Sequence, residues 1–254
     1  MIPREEWRLP TQRLGRRVLL FDRLDSTSTC AAAMSGDPSN DGLVVIADEQ
    51  SAGRGRQGRS WQCPPGQGLL LSALLFAPEQ LRRAVILTAW AAVAVCRTIE
   101  RHAGLEPRIK WPNDVLVRER KVGGILIEQS RATVAGIGLN LNQSAEAFVD
   151  LPQAGSLALF AGRAFDRKEL AVALIQELDE SYDELWRGHF SGLEAAWVER
   201  LNLVDRIAEM ECVGFAHRGR IVRISFDGLE AEEASGSRRA LLPEQILHVV
   251  PRDS

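Results

Sequence analysis

DEQSAGRGRQGRSWQCPPGQG, residues 48–68, is the stretch on which the reading of the fold turns. Gly53, Gly55 and Gly58 satisfy GxGxxG, the spacing of a dinucleotide-binding loop. Such a loop must open a helix whose N-terminal amides hold a pyrophosphate. Here Arg59-Ser60-Trp61-Gln62-Cys63 runs into Pro64-Pro65-Gly66, and paired prolines with a glycine forbid a regular helix. The dinucleotide reading therefore fails on context. What remains is a long polar loop, which inside a compact domain is either functional or disordered. Arg54, Arg56 and Arg59 give it three permanent positive charges, and guanidinium forks match phosphate oxygens. On charge alone a solvated basic loop would suffice. Trp61 argues for more, because a large aromatic beside cations suits a lid that closes over a flat ligand. Ordering such a loop costs roughly 1–2 kcal/mol per residue. It is expected to be mobile when empty and to order on a nucleotide.

On either side of the loop the pattern is regular. VLLFDRL (18–24), GLVVIA (42–47) and GLLLSALLF (68–76) read as strands, and Ser26 to Thr29 offer helix-capping hydroxyls before CAAAM. Residues 79–102 are the longest apolar helix candidate. PRIKW (107–111), DVLVR (114–118), KVGGILIEQ (121–129) and TVAGIGLNLN (133–142) are further strands, the middle two joined by a hairpin turn at RERK. Glycines inside the last strand mark close approach by a ligand or another backbone. Asp166 with Glu169 reads as a capping box, and Leu170, Leu174, Leu178 and Tyr182 then line one helix face. Another helix is expected near residues 193–201. From about residue 205 only short strands and glycine turns follow. The expectation is an α+β fold with a mixed, largely antiparallel sheet and a small C-terminal β module.

Bulk properties narrow the function. The chain has 254 residues and a net charge of −3, without the basic excess of a general nucleic-acid binder. Cys30, Cys63, Cys96 and Cys212 are far apart, as are the four histidines, so neither a disulfide framework nor a zinc site is expected. That usage suits a reducing cytoplasm. No apolar run approaches the ~20 residues of a membrane span, and the N-terminus has no apolar signal core.

EQSAGRGRQGRSW resembles the signature loop of biotin protein ligases, and DST (25–27), KWPND (110–114), KVGGILIE (121–128) and GIGLNLN (136–142) follow in that family's order and at compatible spacing. The resemblance covers about residues 18–200. It implies the class II synthetase-like core of that family, with biotin and ATP as substrates and Mg²⁺ accompanying the nucleotide. The implied activity forms biotinyl-5′-AMP and passes biotin to a lysine on a biotin carboxyl carrier protein domain of a biotin-dependent carboxylase. By resemblance, Ser26, Thr27, Gln50, Gly53 and Arg54 bind biotin, with Val115 as an apolar wall and Gly136 and Gly138 making room for the bicyclic ring. Arg54, Arg56, Arg59, Trp61 and Asn140 would hold the adenylate. Lys110 is the expected catalytic residue, its ammonium set between carboxylate and α-phosphate where negative charge accumulates. Trp111-Pro112 directly after it limits backbone freedom. Asn113 and Asp114 either orient the metal or serve as turn residues, with Asp114 the metal candidate. Many relatives carry Asn after DST, whereas this chain has Ser28.

The expected organisation is a flexible lead-in at 1–17, a catalytic domain at 18–203 and a small domain at 204–254 resembling the family's SH3-like module. Some relatives carry a DNA-binding helix-turn-helix, for which the residues before Asp25 are too few, so no DNA binding is expected. A homodimer is compatible with the sequence. Two other readings compete: a lipoate or octanoate ligase of the same fold, which would need an apolar tunnel, and a non-catalytic biotin binder, against which Lys110 and the loop arginines argue.

Overall fold

The computed structural model describes residues 2–252; Met1, Asp253 and Ser254, at the outer ends of the two expected flanking segments, lie outside the described residues. The strands are β1 (Glu5–Trp7), β2 (Val18–Leu24), β3 (Val44–Gln50), β4 (Gly68–Leu75), β5 (Pro107–Lys110), β6 (Asp114–Val117), β7 (Arg120–Gln129) and β8 (Thr133–Asn140). The helices are α1 (Thr27–Ala33), α2 (Ala84–Ala103), α3 (Leu157–Ala161), α4 (Arg167–Trp186) and α5 (Ser191–Leu201). β9 (Ile207–Cys212), β10 (Phe215–Ser225), β11 (Gly228–Glu232), β12 (Arg238–Leu241) and β13 (Ile246–Pro251) complete the chain. They form an eight-stranded sheet ordered β1-β2-β3-β4-β8-β7-β6-β5 and a five-stranded sheet ordered β12-β11-β10-β9-β13. β2 and β3 run parallel and every other pair in the large sheet is antiparallel, which is the expected mixed α+β architecture.

The large sheet is covered on both faces, which explains why β2 to β4 read as nearly continuous apolar runs. Leu19, Phe21, Val45 and Leu74 pack on one face with Cys30 and Ala31 of α1. Val18, Leu20, Ile46 and Leu71 point the other way, into the core of α2 and α4. Trp90 of α2 sits 5.2 Å from Tyr182 of α4 and donates its indole N–H to Leu178 O at 3.1 Å. Ser26 caps α1 by accepting from the Ser28 amide, and Asp166 caps α4 by accepting from the Glu169 amide at 2.8 Å. The hairpin between β6 and β7 turns through Arg118 and Glu119 at φ 49° and 60°, the left-handed pair of a tight two-residue turn.

The first 17 residues differ from the expected flexible lead-in. β1 pairs antiparallel with β2, and Leu14 is fully buried. The charged sequence hides the cause, which lies far along the chain. Asp179, 4% exposed on α4, accepts from the amides of Gln12 at 2.8 Å, Arg13 at 2.7 Å and Leu14 at 2.8 Å. Arg13 stacks on Trp186 and pairs with Asp183.

The five-stranded sheet is anchored on the large one through an aromatic row. Trp111 lies 5.5 Å from Trp197 of α5, which stacks on Phe226 at 5.4 Å. Trp111 Nε1 donates to Ile246 O, and Arg83 donates to Phe226 O at 2.7 Å. This brings β13 to the edge of the cavity described below.

Asp179→Ala should leave three backbone amides without an acceptor and cost about 3 kcal/mol or more. Urea unfolding measures it; a loss below about 0.5 kcal/mol would show that the carboxylate does not hold the N-terminal segment.

Candidate active site

The arginine–glycine loop is folded back on itself. Gly55 N donates to Arg59 O at 2.7 Å, Arg59 N to Arg56 O at 3.1 Å and Trp61 N to Gly53 O at 2.9 Å, with Arg54 bridged to Ser60. Arg54 is pinned to the sheet by its ion pair with Glu128 of β7 at 2.8 Å. Between the loop, α1 and the β6–β8 face lies a cavity of about 190 Å³. Beside it a wider groove of about 730 Å³ shares the loop arginines as a wall and reaches Thr88, Trp197 and Glu244.

The cavity has an uncharged polar floor and a cationic mouth. Ser26, Thr27 and Ser28 at the start of α1 are buried, and Gln50 at the end of β3 joins them. Thr27 donates to Gln50 Oε1 twice, from its amide at 2.7 Å and its hydroxyl at 3.0 Å. At the mouth stand Arg54, Arg56, Arg59, Lys110 and Lys121. Arg56 is half-buried, and that burial, with Arg59 close by, pulls its guanidinium below the usual value although Asp114 opposes the shift. Lys121 Nζ pairs with Asp114 Oδ1 at 2.6 Å and lies 5.5 Å from the Trp61 ring centre. Lys110 is exposed at the cavity edge, and its ammonium has no ion pair or hydrogen bond among the described residues.

β8 carries no side chain at the two positions that face the loop and α1. Gly138 pairs across the strands with Gly124, and the indole of Trp61 lies against both. A Cβ on Gly138 would stand 2.4 Å from Trp61 Cε2. At Gly136 a Cβ would stand 2.8 Å from Ser28 Oγ. These glycines thus admit Trp61 and the Ser28 hydroxyl, where the expectation was space for a bicyclic ring. The indole Nε1 of Trp61 is buried with no partner among the described residues.

Most expected site residues converge: Ser26, Thr27, Gln50, Gly136 and Gly138 with Arg54, Arg56, Arg59, Trp61, Lys110 and Asp114 all line the cavity. Three do not. Gly53 contributes its carbonyl to the loop instead. Val115 is fully buried behind the wall. Asn140 turns away, donating to Gly155 O at 3.0 Å and accepting from Gln143 Nε2, so its amide is spent on local structure. Asn113 takes the turn role, donating to Ile125 O at 2.7 Å. Three residues went unforeseen. Lys121 opens the KVGGILIEQ strand without having been singled out itself, Ser72 is the lone polar residue of the fully buried β4, and His248 reaches the cavity from β13. Ser72 left a sequence signal of its own, a hydroxyl inside an apolar run, and Lys121 stands at the head of the KVGGILIE segment.

The donor set does not make a metal site by itself. Asp114 is the single carboxylate lining the cavity, its Oδ1 is engaged by Lys121, and no cluster of three His, Cys, Asp or Glu occurs among the described residues.

A mixed sheet thus holds an uncharged polar floor under a group of cations, an arrangement suited chemically to a neutral polar head group beside an anion. Comparison with known proteins narrows the class. The profile of the Biotin/lipoate A/B protein ligase family matches residues 20–143. A biotin--[acetyl-CoA-carboxylase] ligase of Paracoccus denitrificans is 35% identical over 194 residues, 71% of this chain and 79% of that protein. The bifunctional ligase/repressor BirA of Bacillus subtilis is 34% identical over 197 residues, 74% of this chain, and the match spans 61% of the BirA length. The biotin protein ligase of Aquifex aeolicus, solved with biotin and ATP, superposes with a TM-score of 0.80 at 24% identity, covering 93% of this chain and 99% of that one, and shares its fold. The chain belongs to the biotin/lipoate A/B protein ligase family.

Gly138→Ala should push the Trp61 indole off the sheet at an overpacking cost of about 1–3 kcal/mol. A crystal structure of the variant checks this; an indole in its original place beside Gly124 would contradict it.

Proposed function

We propose that the chain is a biotin protein ligase: it joins biotin to ATP as biotinyl-5′-AMP with release of pyrophosphate, then transfers the biotinyl group to a lysine of a biotin carboxyl carrier domain. The observation that carries this is a cavity in which a neutral hydrogen-bonding floor lies beneath five cations. The names of the relatives and the biotin and ATP bound by the Aquifex aeolicus ligase support it. A lipoate ligase would want an apolar tunnel where Ser26, Thr27, Ser28 and Gln50 stand.

The chemistry follows from the charges. A carboxylate oxygen of biotin attacks the α-phosphorus, the bond to the bridging oxygen breaks and pyrophosphate leaves. The carrier amine then attacks the acyl carbon, AMP departs with the C–O electron pair, and the amine proton is lost. Both partners in the first step are anions, so cations must stand where they meet. The expected role of Lys110 is shared in this reading. Lys121 is the better preorganised charge, held by Asp114 and packed against Gly124 and Trp61. Lys110, exposed and unpaired, screens the same charge from the edge. Arg54 and Arg56 take the phosphates, for which Arg54 must exchange Glu128 for the ligand. Trp61, with its free indole N–H, closes over the adenylate.

Magnesium enters this reading with the triphosphate, carried mainly by phosphate oxygens; no step is assigned to it on the protein. Residues 18–203, with β1 and Leu14 added from the N-terminal segment, act as the catalytic domain, and the strands from β9 to β13 act as a small second domain that reaches the cavity through His248. Asn140 acts by holding the Gly155 turn. No helix among the described residues is long and apolar enough to cross a membrane, and the four cysteines are unpaired, in keeping with a cytosolic setting.

Incubating the chain with Mg-ATP, biotin and a carrier domain, then weighing the carrier intact, tests the proposal: one biotinyl addition is expected, and stabilisation by lipoate alone with an unmodified carrier overturns it. Lys121→Ala should lower adenylate formation about 100-fold or more, and Lys110→Ala by less, with biotin still bound by both. Pyrophosphate-release assays measure the two. A greater loss for Lys110→Ala returns the central role to that residue.

A further inference from the structure

The hydroxyls beneath the cavity floor have a fixed direction. The Thr27 amide can only donate, so the end of Gln50 that it meets at 2.7 Å is the oxygen. Thr27 Oγ1 lies 3.0 Å from that same oxygen and must be the donor there. A hydroxyl has a single proton to give. The Thr27–Ser72 bond at 2.8 Å is therefore donated by Ser72, and the Ser28–Ser72 bond at 3.0 Å by Ser28. The relay runs one way, from Ser28 through Ser72 and Thr27 to Gln50. At its cavity end Ser28 Oγ has no proton left and can only accept. At the other end Gln50, its oxygen committed, offers its NH₂ as donors. Ser72 is fully buried and does not line the cavity. It faces Gly136 across the β4–β8 ladder, where the missing Cβ lets the Ser28 and Ser72 hydroxyls meet.

We propose that Ser72 is a positioning residue that sets the donor–acceptor sense of the floor, making Ser28 an obligate acceptor. The resulting pattern, acceptors at one side and donors at the other, is what a cyclic urea with two N–H groups and one carbonyl requires. The inference rests on the biotin reading above and deepens it. It accounts for a hydroxyl inside a buried apolar strand. It also gives a hydroxyl at position 28 a role that an amide, with donors of its own, would not fill in the same way.

The test uses the full chain, with adenylate formation measured for biotin and for the two cyclic carbamates in which one ring N–H is replaced by oxygen. The unsubstituted chain should prefer biotin over both. Ser72→Ala frees the Ser28 proton to turn toward the ligand. The biotin KM should then rise about ten-fold with kcat unchanged, and the preference over one carbamate should shrink by about ten-fold, because Ser28 can now donate to its ring oxygen. Ser72→Cys, a weaker donor of similar size, should fall between. A KM raised by the same factor for all three ligands, or not raised at all, overturns the proposal. Should Ser72→Ala fail to fold, Ser28→Ala removes the acceptor directly and must lose the same preference; a preference kept intact overturns it equally. A chain that binds no biotin before any substitution defeats the underlying reading instead.

Discussion

Two residues without side chains, Gly136 and Gly138, are the constraint on which the site depends. A strand in the middle of a sheet covered on both faces has little freedom to bring other groups close, because each inward side chain keeps them away. Removing two on one face opens the sheet where it matters. Over Gly138 and its cross-strand neighbour Gly124 the indole of Trp61 lies directly on backbone. Over Gly136 the first turn of α1 approaches until Ser28 meets Ser72. The loop and the helix are thereby registered on one strand, about one pleat apart. A methyl group at either glycine would displace one of them.

The charges are arranged around that register. The uncharged groups sit deep, where burying a charge would be costly, and the cations sit at the mouth, where water still solvates them. Two of the cations are held by carboxylates, Arg54 by Glu128 and Lys121 by Asp114. These pairs differ in consequence. The first ties a loop to the sheet, and in the proposed reaction it yields so that the arginine can take phosphate. The second aims an ammonium without removing its remaining protons from the cavity. The five-stranded sheet, locked on by the Trp111–Trp197–Phe226 row, adds His248 to the rim.

Much of this was legible in the sequence. The loop declared itself through what could not follow it, since Pro64-Pro65-Gly66 excluded a dinucleotide helix. Strands β2 to β8 were marked by apolar runs and α4 by its Asp166 cap and leucine face. Less legible were effects that depend on distant partners. Nothing local to residues 12–14 announces that Asp179 will bind their amides. The salt bridge of Lys121 to Asp114 and its seat against Trp61 could not be read in the sequence, because both exist only once the β6–β7 hairpin is formed. Asn140 was expected at the adenylate by resemblance alone, and the hydrogen bond by which its amide ties down Gly155 had no sign in the sequence. Ser72 is the instructive case: a hydroxyl stands out inside an apolar strand, but the direction of its hydrogen bonds needed three neighbours in place.

The most direct measurement of the whole account is a crystal structure of the chain with biotinyl-5′-AMP. The account predicts the ureido ring on the Ser26–Thr27–Ser28–Gln50 floor, the phosphate between Lys121 and the loop arginines, and the Arg54–Glu128 pair opened. A ring seated outside that floor, or a phosphate turned to solvent away from both lysines, would contradict it.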